Sequence, residues 1–333
     1  MTATQMLPED RQRALESAYS SANVNKYLIA EIEGDGLMQS MLKRGVELLR
    51  EWLNEEHYES KAERIAPLHS ADLEDLVKNV FLQVMYCQAP EKLVSVAGRV
   101  AGYLHFDDKP AAIKTTGEIL GLLCETDFFD INKASSVDQL YVECNFTLSK
   151  ELQEFMDRSL YPLPMICQPT KLRHNRTSGY LTTSDSLILG QGNHHNGDIC
   201  LDVLERQNQI PLTLCVDLMY AMEERPNKPI TVEYIMHKAQ EKGNEITMAT
   251  AKAECRDRIA SFEQFRKQSI DVYALMVKNG NRFHLTNRVD KRGRVYSMGY
   301  HIHTQGSAFK KAIVELANTE VVEGVPDHLR TNK

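Results

Sequence analysis

No apolar run in these 333 residues approaches the roughly 20 needed to cross a bilayer. The polar, soon acidic start Met1-Thr2-Ala3-Thr4-Gln5 lacks the apolar core of a secretory leader. No C-x-x-C occurs among the seven cysteines, Cys87, Cys124, Cys144, Cys167, Cys200, Cys215 and Cys255, which are odd in number and irregularly spaced. That pattern argues against a disulfide framework or a cysteine zinc site, and for free thiols in a reducing cytoplasm. No exposed aromatic ladder is legible that would argue for sequence readout of a nucleic acid. Internal repeats and low-complexity tracts are missing too. What remains is ordinary globular composition, 42% hydrophobic and 26% charged, with length for one large domain or a few small ones.

Basic charge is also short overall. The net charge of −7 by itself argues against a nucleic-acid partner. Its distribution argues the other way. Ala251 to Lys311 holds thirteen Lys/Arg against five Asp/Glu, leaving 26 against 41 for the rest of the chain. Such asymmetry is the footprint of one basic face on an acidic body, although a solvated helix face would look the same.

Periodicity predicts a mainly α fold with a small β component. Met38, Met41, Leu42, Leu49, Trp52 and Leu53 form one apolar stripe. Ser70 is the expected N-cap of a second helix carrying Leu73, Leu76, Val77, Val80, Phe81 and Val84, and Pro110 is placed to open a third. Gln139 to Thr147 reads as a strand, one arm of a hairpin after Ser135-Ser136. The prolines between Tyr161 and Pro169 impose extended chain, because proline fixes φ and donates no hydrogen bond. Lys171 to Asn196 reads as a long polar loop. Pro226 and Asn227 break two helices that suit an antiparallel hairpin. A helix from about Thr250 to Lys278 should end at Asn279-Gly280, with Ile259, Phe262, Ile270, Tyr273 and Val277 on its apolar side. Arg266 falls on that same side, where a charge needs a partner or an anionic ligand.

The segment with most chemistry in it is Asp290-Lys291-Arg292-Gly293-Arg294-Val295-Tyr296. Guanidinium offers a planar fork of donors that fits two phosphate oxygens at once. Gly293 carries no side chain to keep the backbone off a ligand. Asp290 is placed to orient an arginine or to cap the turn. Taken alone, a basic surface turn would have the same composition.

This segment resembles the start of the palm in the single-subunit RNA polymerases of T-odd phages and mitochondria. Arg292, Gly293, Arg294 and Tyr296 match position by position, and Gln305, Gly306 and Lys311 match after a one-residue insertion. Tyr161 to Pro169, followed by Ser178-Gly179-Tyr180, is similar to the family's Pro-Met, Pro-Pro and Gly-Gly-Tyr segment. Ala308 departs from the pattern, standing where relatives carry aspartate, and the thumb region is short. The resemblance spans about Leu76 to Val325. It implies an incomplete right-hand fold with a helical N-terminal domain (1–160), an extended segment closing that domain (161–215), a thumb-like helical hairpin (216–265), and a helix with the beginning of the palm (266–333).

The family's metal-binding aspartates lie beyond the matched segment. The resemblance therefore implies a subunit of a DNA-directed RNA polymerase, inactive alone, like the N-terminal subunit of the split, heterodimeric enquatrovirus-type phage enzymes. A partner would carry the fingers and catalytic palm and bind most of the Mg²⁺. The other partners expected are a DNA template, the RNA transcript and a single-stranded-DNA-binding or promoter factor. The expected location is the cytoplasm of an infected bacterial host. Arg292, Arg294 and Lys311 would contact template phosphates, Tyr296 would pack beside them, and Arg258, Arg266 and Lys267 would grip the RNA–DNA hybrid. Asp290, Gln305 and Gly306 would support the motif. For Lys267 an ion pair with Glu263 is the simpler account. A truncated form of a longer polymerase and a non-enzymatic nucleic-acid-binding accessory protein remain open. A metal site at His194-His195 or His301 and His303 has no carboxylate or thiol at ligand spacing, and His284 and His303 suit structural or template-proximal roles.

Overall fold

Helix dominates the computed structural model, which describes residues 7–104, 106, 108–133, 139–190, 192–319 and 324. At 55% helix and 9% strand, it has the mainly α character with small sheets read from the periodicity. In chain order the first elements are α1 (Pro8–Ala18), α2 (Ser21–Gly34), α3 (Gly36–Leu53), α4 (Glu59–Ile65), α5 (Leu73–Met85), β1 (Glu91–Lys92), α6 (Leu93–Val100) and α7 (Lys109–Leu123). Next come β2 (Phe129–Lys133), β3 (Leu140–Cys144), α8 (Lys150–Ser159), α9 (Leu201–Asn208), β4 (Leu212–Leu214) and α10 (Val216–Ala221). The chain closes with α11 (Val232–Glu241), α12 (Met248–Lys278), β5 (Asn287–Val289), β6 (Val295–Ser297), α13 (Ala308–Ala312) and β7 (Val314–Leu316). It divides into two units, Ser20–Ser159 and Met1–Tyr19 with Leu160–Lys333.

In the first unit, the stripe of α3 and that of α5 meet in one core, and Phe81 stacks on Phe128 with ring centroids 3.8 Å apart. Both rings are fully buried, so truncating either would cost about 3–5 kcal/mol. The cap of α5 is Asp72, not Ser70: its carboxylate accepts from the backbone N–H groups of Glu74 (3.0 Å) and Asp75 (3.1 Å). A carboxylate directly ahead of the first turn satisfies orphan donors and complements the helix dipole. Ser70 instead ends a short 3₁₀ turn and donates to the carbonyl of Pro67. β2 and β3 form the expected hairpin, with Phe129 opposite Cys144, and β1 adds to the outer edge of β3. The Ser135-Ser136 turn lies outside the described residues, as do Met1 to Gln5.

The second unit is assembled from both chain ends. Gln12 of α1 is 1% exposed; its Oε1 accepts from the Ile166 N–H (2.8 Å) and its Nε2 donates to Glu16 (2.9 Å). Glu16 in turn accepts from the backbone N–H groups of Leu181 and Thr182. These bonds tie α1 to the segment expected to close an N-terminal domain. Tyr161 to Pro169 is free of helix but bends at Ile166 and Cys167, and Met165 exchanges two backbone hydrogen bonds with His284. The polar loop is anchored by apolar residues: Leu172, Leu187 and Ile188 are buried with Leu204 and Val289. β4 pairs antiparallel with β7 over a core of Leu214, Tyr273, Met276, Phe283 and Ile313.

Two expectations about the long helix change. The antiparallel hairpin is formed by α11 and the first half of α12, around Ile235, Ala251 and Cys255, and not across Pro226. Of the expected stripe, Tyr273 is buried, but Ile259, Ile270 and Val277 are exposed. The helix packs on α11 with its first half and on the sheet core with its second, so no single 3.6-residue stripe describes it. Arg266 is accordingly half-exposed and pairs with Glu223 at 3.2 Å. Among the described residues no helix is long and apolar enough to cross a membrane.

Candidate nucleic-acid interface

β5 and β6 are antiparallel, with Arg288 opposite Tyr296 and Val289 opposite Val295, and Asp290 to Arg294 make the turn between them. The Asp290 N–H donates to the Arg294 carbonyl, and the Gly293 N–H donates to the Asp290 carbonyl, both at 2.9 Å. Gly293 has φ +79°, a left-handed conformation that a Cβ would penalise. The Asp290 carboxylate closes the turn from inside. It accepts from the backbone N–H groups of Arg292 (2.9 Å) and Arg294 (3.0 Å), and from the Arg294 Nε (2.8 Å). Arg294 Nη2 lies 2.6 Å from the same carboxylate, whereas Arg292 Nε is 3.6 Å away.

Desolvation would raise the Asp290 pKa, but hydrogen bonds from the Arg294 backbone and side chain and the Arg292 backbone outweigh it and hold it at about 2. The carboxylate is therefore ionised at neutral pH and fixes one arginine by two donors. Arg294 then lies over the Tyr296 ring, 5.7 Å from its centroid. The side chains of Arg292 and Arg294 remain 67% and 55% exposed, so their remaining donors face solvent. One negative charge sits among two guanidiniums and Lys291. The turn keeps a net positive charge.

Gln305 joins this group by donating from Nε2 to the Val295 carbonyl at 2.9 Å. Gly306 serves a different contact, since a Cβ there would lie 2.9 Å from the His303 ring. Arg258 pairs along α12 with Glu254 at 2.5 Å, so its charge is matched within its own helix. Lys267 is exposed on α12, and Lys311 is exposed on α13. The turn thus gathers Asp290, Arg292, Gly293, Arg294, Tyr296 and Gln305, while Arg258 and Arg266 are engaged by carboxylates elsewhere.

Sequence reasoning passed over the neighbour of Lys311. Lys310 is 7% exposed; its ammonium donates to the Tyr300 carbonyl and lies 4.4 Å from the Phe265 centroid and 4.9 Å from that of Tyr300. Burial lowers its pKa, and Glu224 opposes that shift. Glu224 is also 7% exposed; burial raises its pKa against the pull of Lys310 and a Ser307 hydroxyl. His301 and His303 are both pushed down, first by burial and then by the Lys310 charge, His301 to about 4. Glu224, His303 and Lys310 border a half-open cavity of about 410 Å³ with Arg225, Phe262 and Phe265. The only local hint was Ser307, which caps α13 by accepting from the Lys310 N–H.

His284 is buried, and its Nδ1 lies 3.1 Å from the Asn208 carbonyl, a structural setting. All seven cysteines are free thiols. Among the described residues no three His, Cys, Asp or Glu side chains converge as a metal ligand set. No protein-family model and no curated protein sequence matches the chain at a significant level.

Proposed function

We propose that this chain is one subunit of a bacteriophage DNA-directed RNA polymerase, a nucleotidyltransferase completed by a second polypeptide. The observation that supports it is the turn in which Asp290 locks Arg294 and leaves two guanidinium faces outward. A fork held in advance loses little freedom on meeting a phosphate. Arg292 and Arg294 hold template phosphates, Gly293 admits the strand close to the backbone, and Tyr296 braces Arg294 from below. Lys311 adds a further phosphate contact, and Lys267 grips the RNA–DNA hybrid along α12, joined by Arg258 and Arg266 as they exchange Glu254 and Glu223 for phosphate. The partner supplies the fingers and the carboxylates for Mg²⁺, whose two-metal chemistry clamps the attacking and leaving oxygens. This chain's own part is binding and register, in the cytoplasm of an infected host.

Such phosphate contacts give affinity and weaken steeply with salt. The deciding experiment reconstitutes the chain with its partner and measures RNA synthesis on a single-stranded or primed template. Arg294→Ala should cut synthesis while the two subunits still co-purify, and an unchanged rate would count against the assignment. A non-enzymatic nucleic-acid-binding factor would use the same turn, but no partner with nucleotidyl-transfer activity would accompany it.

A further inference from the structure

We propose that the cavity bounded by Glu224, Arg225, Phe262, Tyr300 and Lys310 is a nucleotide site, with the base's N–H edge on Glu224 and the phosphate on Arg225. Glu224 provides the strongest reason. It is 7% exposed, yet its Oε2 has no hydrogen-bond partner, and Oε1 is met only by the Ser307 hydroxyl at 3.5 Å. A buried carboxylate oxygen without a donor is expensive to keep. Oε2 itself is closed to solvent, and a turn of the side chain into the cavity that Glu224 lines would let an occupant bring it a donor.

The rest of the wall narrows the occupant. Lys310 is buried beside the same space and Arg225 is exposed at its rim, so a bare cation is disfavoured. Phe262 offers aromatic surface to a planar ring, beside Phe265 and Tyr300, whose own faces are held by His301, Tyr161 and Lys310. The volume of about 410 Å³ lies within the range of small-molecule sites. A ligand combining N–H donors on a flat ring with an anionic tail meets all three features. A nucleotide is that ligand.

The wall is also built in advance. Tyr300 stacks on Tyr161 at 4.1 Å, and Phe265 stacks on His301 at 5.5 Å. Lys310 is fixed between Phe265 and Tyr300. Gly306 lets the backbone come so near His303 and Lys310 that a Cβ would be 2.9 Å from the imidazole. This inference does not depend on the polymerase assignment, because it concerns the chain without template or partner.

Calorimetric titration of the full chain with nucleoside 5′-monophosphates, ribose 5-phosphate and inorganic phosphate tests it. Nucleotides should bind at one saturable site, with the two base-free anions weaker by about tenfold. Glu224→Gln should weaken nucleotide binding by about tenfold, since a charged acceptor is lost. Arg225→Ala, an exposed change that leaves the fold alone, should weaken it by about threefold. Lys242→Ala, on an exposed turn, should change nothing. Equal binding of ribose 5-phosphate, no nucleotide binding, or indifference to both Glu224→Gln and Arg225→Ala would each overturn the site. Should Glu224→Gln fail to fold, the Arg225→Ala result and the comparison with ribose 5-phosphate decide. Competition by a short single-stranded oligonucleotide would identify the occupant as an unpaired residue of a strand; binding without competition would identify a free nucleotide.

Discussion

His301 Nδ1 lies 2.9 Å from Ser269 Oγ, and α12 determines which of them donates. The Ser269 hydroxyl already donates to the Phe265 carbonyl one turn earlier, so it accepts from the Nδ1–H of His301. The proton is on Nδ1, and Nε2 is left as a buried acceptor with no partner. A second proton would place a buried charge near Lys310.

An acid-dependent loss of stability follows from that arrangement. The folded pKa of His301, about 4, lies below the ordinary 6.5. Between these values the unfolded chain binds the extra proton, so stability is full above 6.5 and declines as pH falls towards 4. The whole effect amounts to about 3 kcal/mol. His303 shifts in the same direction, whereas Glu224, raised by burial, acts in the opposite sense. Urea midpoints at pH 7 and pH 5 should therefore differ less in His301→Gln than in the wild type. An equal difference would mean that this histidine is not the group responsible.

The arginine turn makes a separate prediction. Arg292→Ala and Arg294→Ala should each reduce the slope of log affinity against log salt for a nucleic acid by about one. Fluorescence anisotropy over a salt series reads this directly. A slope that stays the same in both variants would remove the turn from the interface.

Backbone geometry at Gly293 can be tested without any ligand. Nothing lies within 4 Å of where its Cβ would be, so a substitution is opposed only by the left-handed φ of +79°. Gly293→Ala should destabilise the protein by about 1–2 kcal/mol. A melting temperature equal to wild type would show that the turn can adopt another conformation at no cost.

The first helix should matter more than its position near the chain end suggests. Gln12→Ala would leave the half-buried Ile166 N–H without its acceptor and remove one of the donors to Glu16, which keeps those of Leu181 and Thr182. The expected loss is about 1–3 kcal/mol. Chemical denaturation measures it, and a variant as stable as wild type would show that solvent replaces both bonds.

The readings that survive are those in which cause and effect lie close in the chain. The stripes of α3 and α5 face their core, and Asn279-Gly280 ends α12. Asp290 both orients Arg294 and closes the turn, because all its partners lie within four residues. The cap of α5 lies two positions beyond Ser70, because serine and aspartate are both good caps and only the folded backbone shows which faces the free N–H groups. The stripe on α12 failed for another reason. A 31-residue helix can pack on different neighbours along its length, and periodicity assumes one.

By itself the sequence determined the helical class, the strand β3 as one arm of a hairpin, and a basic turn stiffened by its own aspartate. These depend on dihedral preferences, apolar spacing and hydrogen bonds over a few residues. Only the tertiary structure decided that α1 is bonded to the chain around Ile166 and Leu181, that Lys310 and not Lys311 is buried, and that Glu224 faces the same cavity as Tyr300. Those side chains come from segments far apart in the chain, and what makes them chemically unusual is desolvation. Desolvation is a property of the surroundings, and no local pattern encodes it.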